Sequence, residues 1–218
     1  MTGYSRSPKL LKGGIVVTDP VSLAVQRVIT LQYNPDSVTR TLQVRGTGGD
    51  AERSEALRLT GPAMETIKLD AELDATDQLE RPDQNQAAVE LGLHPQLSVL
   101  EGLVNPSVTA LVAGNMQAML GMIEIAPAQA PLTLFVWSDQ RIVPIRITEF
   151  NIVEDAFDER LNPIRARITL GMRVLSVDDL GFSHSGGTVF LGYLRRKEGL
   201  AGRAKSSDLK ALGIGAIR

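Results

Sequence analysis

Three carboxylates are the residues of this chain whose types and spacing point most directly to chemistry. Asp70, Glu72 and Asp74 alternate along one stretch, and Asp77 follows closely. Such a row could hold a hard cation, but alternate side chains on a strand lie about 7 Å apart, too far for one ion without help from a loop. Three interpretations stay open: a cation site, a solvated face, or an interface that meets cationic side chains of a neighbouring molecule.

The chain offers little for nucleophilic or metal-assisted catalysis. It has only two histidines, His94 and His184, and neither belongs to a metal-ligand spacing. Residues 183–187 (SHSGG) contain serine and histidine, the residue types of a catalytic nucleophile and its base, but lack the strand–turn–helix pattern that a nucleophile elbow needs. Residues 46–49 are glycine-rich but lack the lysine of a phosphate loop.

One carboxylate pair leaves a hydrolase hypothesis open. Glu149 and Glu154 could act as the acid and base of a glycosidase, and a metal-dependent hydrolase could use Asp70. Sugar-binding sites are rich in aromatic platforms, however, and aromatic residues make up only 4% of this chain. We therefore expect no enzyme activity, no catalytic residue, no cofactor and no bound metal.

The composition bounds the remaining classes. The chain has 218 residues, a hydrophobic fraction of 43%, no cysteine and a formal net charge of −2. These values fit one large domain without disulfides in a reducing compartment, and they favour neither nucleic acid nor an acidic substrate. No stretch has the length of a signal peptide's apolar core or of a membrane span. We expect a cytoplasmic protein that does not insert into a membrane.

The most regular pattern in the chain is a two-faced strand over residues 163–175. Arg165, Arg167 and Arg173 share one face with Thr169 and Gly171, while the other face is apolar throughout. The cationic face needs a partner. We therefore take Asp70, Glu72, Asp74, Arg165, Arg167 and Arg173 as candidate subunit-interface residues, with acidic and basic faces of neighbouring copies setting the register.

Other stretches with strand character predict a mainly β protein. The sum is seven or eight mostly consecutive antiparallel strands, which favours an antiparallel β-sandwich or barrel with helix only in the middle. Residues 34–37 (NPDS) are turn-forming and predict a hairpin between the second and third strands. The further strands are expected at residues 15–17, 25–33, 38–44, 65–74, 132–137 and 141–153.

The domain organisation has three predicted parts: a mobile arm at residues 1–12, a β domain at 13–180 and a basic extension at 181–218. One or two helices form an insertion at about 84–126, where Pro95 and Pro106 stand at plausible helix starts. The extension carries seven basic residues against two acidic ones, and we expect it to order on docking to a second protein. Its candidate docking residues are Arg195, Arg196, Lys197, Arg203 and Lys205.

Four segments in order resemble one protein family. They are residues 33–37 (YNPDS), 67–77 (IKLDAELDATD), 131–144 (PLTLFVWSDQRIVP) and 157–170 (FDERLNPIRARITL). Together they are similar to the tube-like baseplate proteins of contractile injection systems, the phage-tail-like machines of bacteria, over about residues 13–177. Ser138 stands where that family's pattern has glycine after the tryptophan, and nothing after Leu180 resembles the LysM module that such proteins often carry.

The resemblance implies a fold related to the tail tube and a structural role. Copies would form a six-fold ring that joins the inner tube to the baseplate hub and spike. The implied partners are further copies of the chain, the inner tube protein, the hub or spike protein and the baseplate wedge proteins. The same resemblance leaves open the inner tube protein itself, or a ring that caps the tube end. In each case the particle would assemble in the cytoplasm before release.

Overall fold

The computed structural model describes residues 11–46, 58–120, 130–204 and 209–213. Their main element is one antiparallel sheet of seven strands, so the predicted mainly β, antiparallel fold is confirmed. The strands are Gly14–Thr18 (β1), Val25–Thr30 (β2), Val38–Gln43 (β3), Met64–Asp74 (β4), Leu132–Val136 (β5), Ile142–Phe157 (β6) and Pro163–Val174 (β7).

The strand order is β2-β1-β5-β6-β7-β4-β3, and every pairing is antiparallel. The predicted hairpin between β2 and β3 is wrong, because β2 pairs with β1 and β3 pairs with β4. The two strands therefore lie at opposite edges of the sheet. Residues 31–37 connect these edges instead of forming a hairpin turn, and Asn34 in this link bonds to Leu11 and Gly13 beside β1.

The sheet curls so that β2, at one side of the strand order, approaches the part of β4 that extends beyond β3 at the other side. Gln32, two residues after β2, hydrogen-bonds to the main chain of Asp74 at the end of β4. An apolar cavity of about 360 Å³ lies along this seam, between β2 on one side and β4 and β7 on the other. The fold is thus an incompletely closed barrel, which leaves some strand edges unpaired.

The alternation of β4 and β7 produces the core. Ile67 and Leu69 of β4 and Ile168, Leu170 and Met172 of β7 point inward and are almost fully buried. Their neighbours in sequence point outward, as the predicted period of two requires. Burial of this apolar face is the main term that fixes the register, because a slip of one residue would turn every inward side chain to water.

A bulge and a glycine shape the middle of β6. The register with β7 shifts between Ile147 and Glu149, where β6 has one extra residue. Gly171 lies opposite this point, and a Cβ atom there would lie 2.8 Å from Cβ of Glu149. Only glycine allows β6 and β7 to approach this closely.

Helices occupy two regions of the chain, not the middle alone. The central ones begin earlier than predicted and cover one end of the barrel with Leu93, Leu97 and Leu100. Residues 121–126 of the predicted insertion lie outside the described residues. The helices are Thr76–Leu79 (α1), Gln86–Leu91 (α2), His94–Glu101 (α3), Val108–Met119 (α4), Val177–Leu180 (α5) and Ser185–Ala201 (α6), with short 3-10 turns at Pro82–Gln84 and Leu209–Leu212.

The C-terminal helix belongs to the body of the protein. Helix α6 packs against β6, and its Phe190 and Tyr193 are 3% and 2% exposed. The predicted boundary at residue 180, with a separate extension that orders on docking, is therefore wrong for residues 185–201. The predicted arm at 1–12 falls almost entirely outside the described residues.

Candidate assembly surfaces

The six predicted interface residues lie together on one surface. Strands β6, β7, β4 and β3 are neighbours in the sheet, and the side of these four strands that faces away from the core is here named the polar face. On this face Asp74 lies opposite Arg165, Glu72 opposite Arg167 and Asp70 opposite Thr169. Sequence reasoning found both rows of side chains but not that they belong to adjacent strands of one chain.

The arginines of β7 pair with carboxylates of the same chain. Arg165 lies 2.9 Å from Asp74, Arg167 lies 2.9 Å from Asp155, and Arg173 lies 2.6 Å from Asp179. The expectation that these cations need a neighbouring copy is thereby corrected, because their charges are already compensated. Exposed pairs of this kind contribute little to stability. The pairs of Arg165 and Arg167 join β7 to its neighbouring strands, whereas that of Arg173 joins β7 to helix α5.

The rest of the polar face is also cross-linked within the chain. Thr169 donates a hydrogen bond of 2.7 Å to Asp70, and Lys68 of β4 lies 2.9 Å from Glu149 of β6. The second contact crosses the intervening strand β7 and passes over Gly171, which has no side chain to block it. Glu72 has no ion pair within the described part of the chain. A role for these residues between copies stays a prediction.

Asp74 is held in its charged form. The hydroxyl and the backbone N–H of Thr76 both donate to its carboxylate, and the Arg165 guanidinium adds a further donor. These contacts lower the pKa of Asp74 below its ordinary value, the Thr76 hydroxyl bond having the largest effect, while partial burial acts in the opposite direction. The carboxylate therefore anchors the end of β4 at neutral pH.

Two strand edges flank the polar face without a strand partner. β5 pairs with β6 only over Ile142–Ile145, so the remainder of that edge, residues 146–157, meets no other strand among the described residues. At the other side β3 pairs with β4 alone, and its outer edge is likewise unpaired within the described ranges. Unpaired edges present rows of main-chain donors and acceptors that favour pairing with another chain.

The predicted docking residues of the C-terminal region are divided by the structure. Arg195 and Arg196 lie exposed on α6, and Arg203 is exposed just beyond its end. Lys197 instead turns toward the body, and Lys205 lies outside the described residues. Only the exposed arginines stay available for docking, which remains a prediction.

Lys197 belongs to a charged cluster that sequence reasoning missed. Glu65 of β4 is 4% exposed and pairs with Arg40 at 2.6 Å and with Lys197 at 3.3 Å. The hydroxyl of Tyr193 lies 3.2 Å from both carboxylate oxygens, and the ammonium of Lys197 lies 4.2 Å from the centre of the tyrosine ring. The cluster fixes α6 to β3 and β4. Its signal in the sequence is the spacing of Tyr193 and Lys197, one turn apart on the face that also holds Phe190.

The residues considered for catalysis have structural contacts. His184 caps α6 by accepting a hydrogen bond from the N–H of Gly186 at 3.0 Å. Glu149 and Asp70 are engaged as described above. Within the described ranges no group of three or more acidic, histidine or cysteine side chains is placed to hold a metal ion. None of the described helices combines the length and the hydropathy that crossing a bilayer requires.

Comparisons with known proteins give distant structural likenesses. The chain is similar to a chain of the "Tail of empty GTA particle computed with helical refinement, C6 symmetry", with 12% identity, a TM-score of 0.30 and coverage of 78% of this chain and 95% of that one. It is also similar to a chain of the "Virion of native gene transfer agent (GTA) particle", with 10% identity, a TM-score of 0.28 and the same coverage of 78% and 95%. No protein-family model and no curated protein matches the chain. Both TM-scores are low, so we infer nothing about the fold from these likenesses and describe it from the chain's own strand order and register.

Proposed function

We propose that this chain is a structural subunit of a contractile injection system, the phage-tail-like class of particle. Copies close into a ring that joins the inner tube to the baseplate hub and spike. The observation that carries the proposal is the pair of unpaired edges, on β3 and on residues 146–157 of β6, at the two sides of one four-stranded block. The four sequence segments that resemble tube-like baseplate proteins support the type of particle and the position of the ring within it.

The direction of the strands makes a closed ring possible. Within the block β6, β7, β4 and β3 alternate in direction, because each pairs antiparallel with the next. Four is an even number, so the β3 edge of one copy runs antiparallel to the β6 edge of the following copy. Such a contact joins two different surfaces and repeats from copy to copy, which is the type of contact that forms rings.

The charge pattern of the polar face supports this arrangement. The three arginines of β7, Lys68 and most of the carboxylates on this face are already paired within the chain. The face therefore stays ordered and hydrated without a partner, as the wall of a water-filled channel requires. The opposite side of the block is covered by the rest of the barrel and by the helices, so within the described ranges the two edges are the surfaces left for main-chain pairing between blocks.

The resemblance sets the remaining details of the proposal. The ring has six copies and contacts the inner tube protein, the hub or spike protein and the baseplate wedge proteins. It binds no nucleic acid and no cofactor, catalyses no reaction and does not insert into a membrane. The particle assembles in the bacterial cytoplasm and is then released.

A second candidate function is the repeating inner tube protein, or the ring that caps the tube end. The projecting helix α4 disfavours a subunit that stacks many times, because each layer would have to accommodate it. A hydrolase on this fold is a remote alternative. Glu149 would be its most plausible acid, but that side chain is bound to Lys68.

The copy number of the chain in purified particles tests the proposal. Quantitative mass spectrometry of intact particles, with electron microscopy to locate the subunit, is expected to find a single ring of this protein at the baseplate end of the tube. A copy number that grows with tube length would support the tube protein instead. Complete particles that contain none of this chain would overturn the proposal.

A further inference from the structure

Helix α4 has its apolar side turned toward solvent. The helix contains no charged residue, and none of its residues is buried. Its large apolar side chains recur at intervals of three and four residues, so they form one stripe along the helix. The stripe, with the exposure of each member, consists of Val108 75%, Leu111 58%, Val112 53%, Met116 59%, Met119 81% and the adjoining Leu120 76%.

The opposite side of α4 carries small residues. Ala110 and Gly114 are the only half-buried positions in the helix and lie one turn apart on that side, where a Cβ atom added to Gly114 would meet open space. A surface helix normally presents its apolar stripe to its own core and its polar side to water. In α4 the apolar stripe faces solvent instead, and no described residue of this chain buries it. A partner that covered the stripe would remove this apolar surface from water.

The helix is nevertheless a well-defined element. Ser107 caps its start by accepting a hydrogen bond from the N–H of Ala110 at 3.2 Å. A helix of twelve residues is only marginally stable in water without packing. A partner that covers the stripe would therefore also stabilise the helix itself.

The chain leading into helix α4 lies beside the unpaired edge of β6. A groove of about 460 Å³ lies at the point where the pairing of β5 with β6 stops and β6 continues without a partner strand. The chain segments that lead into and away from the helix both line this groove. Its relevant lining residues are Leu103, Val104, Ala130 and Pro131 from these segments, with Arg146 and Ile147 from β6.

We infer that the stripe of α4 docks on a second copy of this chain, the neighbour whose β3 edge meets β6. The inference rests on the proposed ring. An incoming β3 edge would place the exposed apolar residues Leu42, Val44 and Leu59 of the neighbour, at 49%, 68% and 72% exposure, on the side where α4 is rooted. At roughly 100 Å² for a fully exposed large aliphatic side chain, the six members of the stripe would bury on the order of 400 Å², about half of the roughly 800 Å² per partner in a stable interface.

A double substitution on the stripe tests this contact. Leu111→Gln with Met116→Gln removes two apolar side chains and keeps good helix-forming residues. Because neither side chain is buried in the subunit, the melting temperature of the monomer is expected to stay unchanged. Association of full-length copies, measured by native mass spectrometry over a concentration series, is expected to weaken by roughly a hundredfold. Gln117→Ala, an exposed position on the side of α4 opposite the stripe, is the control and is expected to assemble like the wild type.

The absence of cysteine from the chain allows a direct test of proximity. The double variant Met116→Cys with Leu42→Cys is expected to form disulfide-linked chains and closed covalent rings on oxidation, and each single variant at most dimers. If the wild type forms rings and the Gln double variant forms them equally well, docking by α4 is wrong while the proposed ring stands. If the wild type never associates, even with its partner proteins present, both are wrong.

Discussion

The carboxamide of Gln32 makes two hydrogen bonds with the main chain of Asp74. Its Nε2 donates to the carbonyl oxygen of Asp74 at 2.7 Å, and its Oε1 accepts from the N–H of Asp74 at 2.9 Å. This is the pattern that a strand partner would supply. A single side chain thus joins the two ends of the curled sheet at the point where the backbone pairing stops.

We expect Gln32→Ala to destabilise the subunit by about 2 kcal/mol, because the N–H and carbonyl of Asp74 lose their partners at a half-buried position. Urea unfolding followed by circular dichroism measures the change. Gln26→Ala, at an exposed position of β2 with no side-chain hydrogen bond among the described residues, is the control and should stay near wild type. Equal stability of the two variants would show that the carboxamide does not hold the seam.

The Glu65 cluster should be the most sensitive polar site in the fold. Glu65→Ala leaves Arg40, Lys197 and the Tyr193 hydroxyl without their shared acceptor, and removal of one partner from a buried ion pair costs about 3 kcal/mol. Tyr193→Phe removes only the hydroxyl and should cost about 1 kcal/mol. Chemical denaturation with a helix-sensitive probe checks both values. A loss below that of Tyr193→Phe for the alanine variant would contradict the assigned role of the carboxylate.

Ser138 offers a stabilising change. Its φ angle is +92°, a left-handed conformation in which a side chain is strained and which glycine adopts more readily. The substitution Ser138→Gly also removes a hydrogen bond of 3.3 Å from the N–H of Gln140 to the hydroxyl. We expect a net gain of about 1 kcal/mol in the free energy of unfolding. Ser138→Ala is the informative comparison: it loses the same bond and keeps the strain, so it should be less stable than wild type.

The lowered pKa of Asp74 gives a pH dependence with a definite sign. A carboxyl whose pKa is lower in the folded state than in the unfolded chain stabilises the fold above its ordinary pKa, about 3.8 for aspartate. That contribution is lost as the pH falls from this value through the lower pKa of the folded state. The variant Asp74→Asn should therefore be less stable than wild type at pH 6 and lose less stability on acidification.

Unfolding free energies at intervals between pH 6 and the acid limit of folding test this prediction. Asp83→Asn, the same change at an exposed position in a short turn, is the control and should follow the wild-type curve. If Asp74→Asn also followed that curve, the hydrogen bonds from Thr76 would not stabilise the charged carboxylate in solution.

Local patterns in the sequence predicted the strands well because each strand carries its own periodicity. The alternation of β4 and β7 placed their inward and outward residues correctly, since burial of one face decides the register. Which strands pair with each other could not be predicted from these local patterns. The alternation of β2 and β3 and the turn residues Asn34 and Pro35 were compatible with a hairpin, but the partners of these strands are β1 and β4.

The candidate surfaces were only partly accessible from the sequence. Counting charges showed acidic and basic rows, but not that Asp74 and Arg165 face each other on adjacent strands. In the C-terminal region the net charge obscured the apolar spacing of Phe190 and Tyr193, which makes that region part of the core. The edge of β6 is unpaired beyond Ile145 because β5 extends no further along it, and no local pattern in β6 predicts this.

Hydrogen–deuterium exchange on assembled and monomeric protein would reveal whether copies join by main-chain pairing at the edges of β3 and β6. If copies join through main-chain pairing, amides of Val38–Gln43 and of residues 146–157 should exchange much more slowly in the ring than in the monomer, while those of α6 stay the same. Rings that form without any added protection of these two segments would contradict the account.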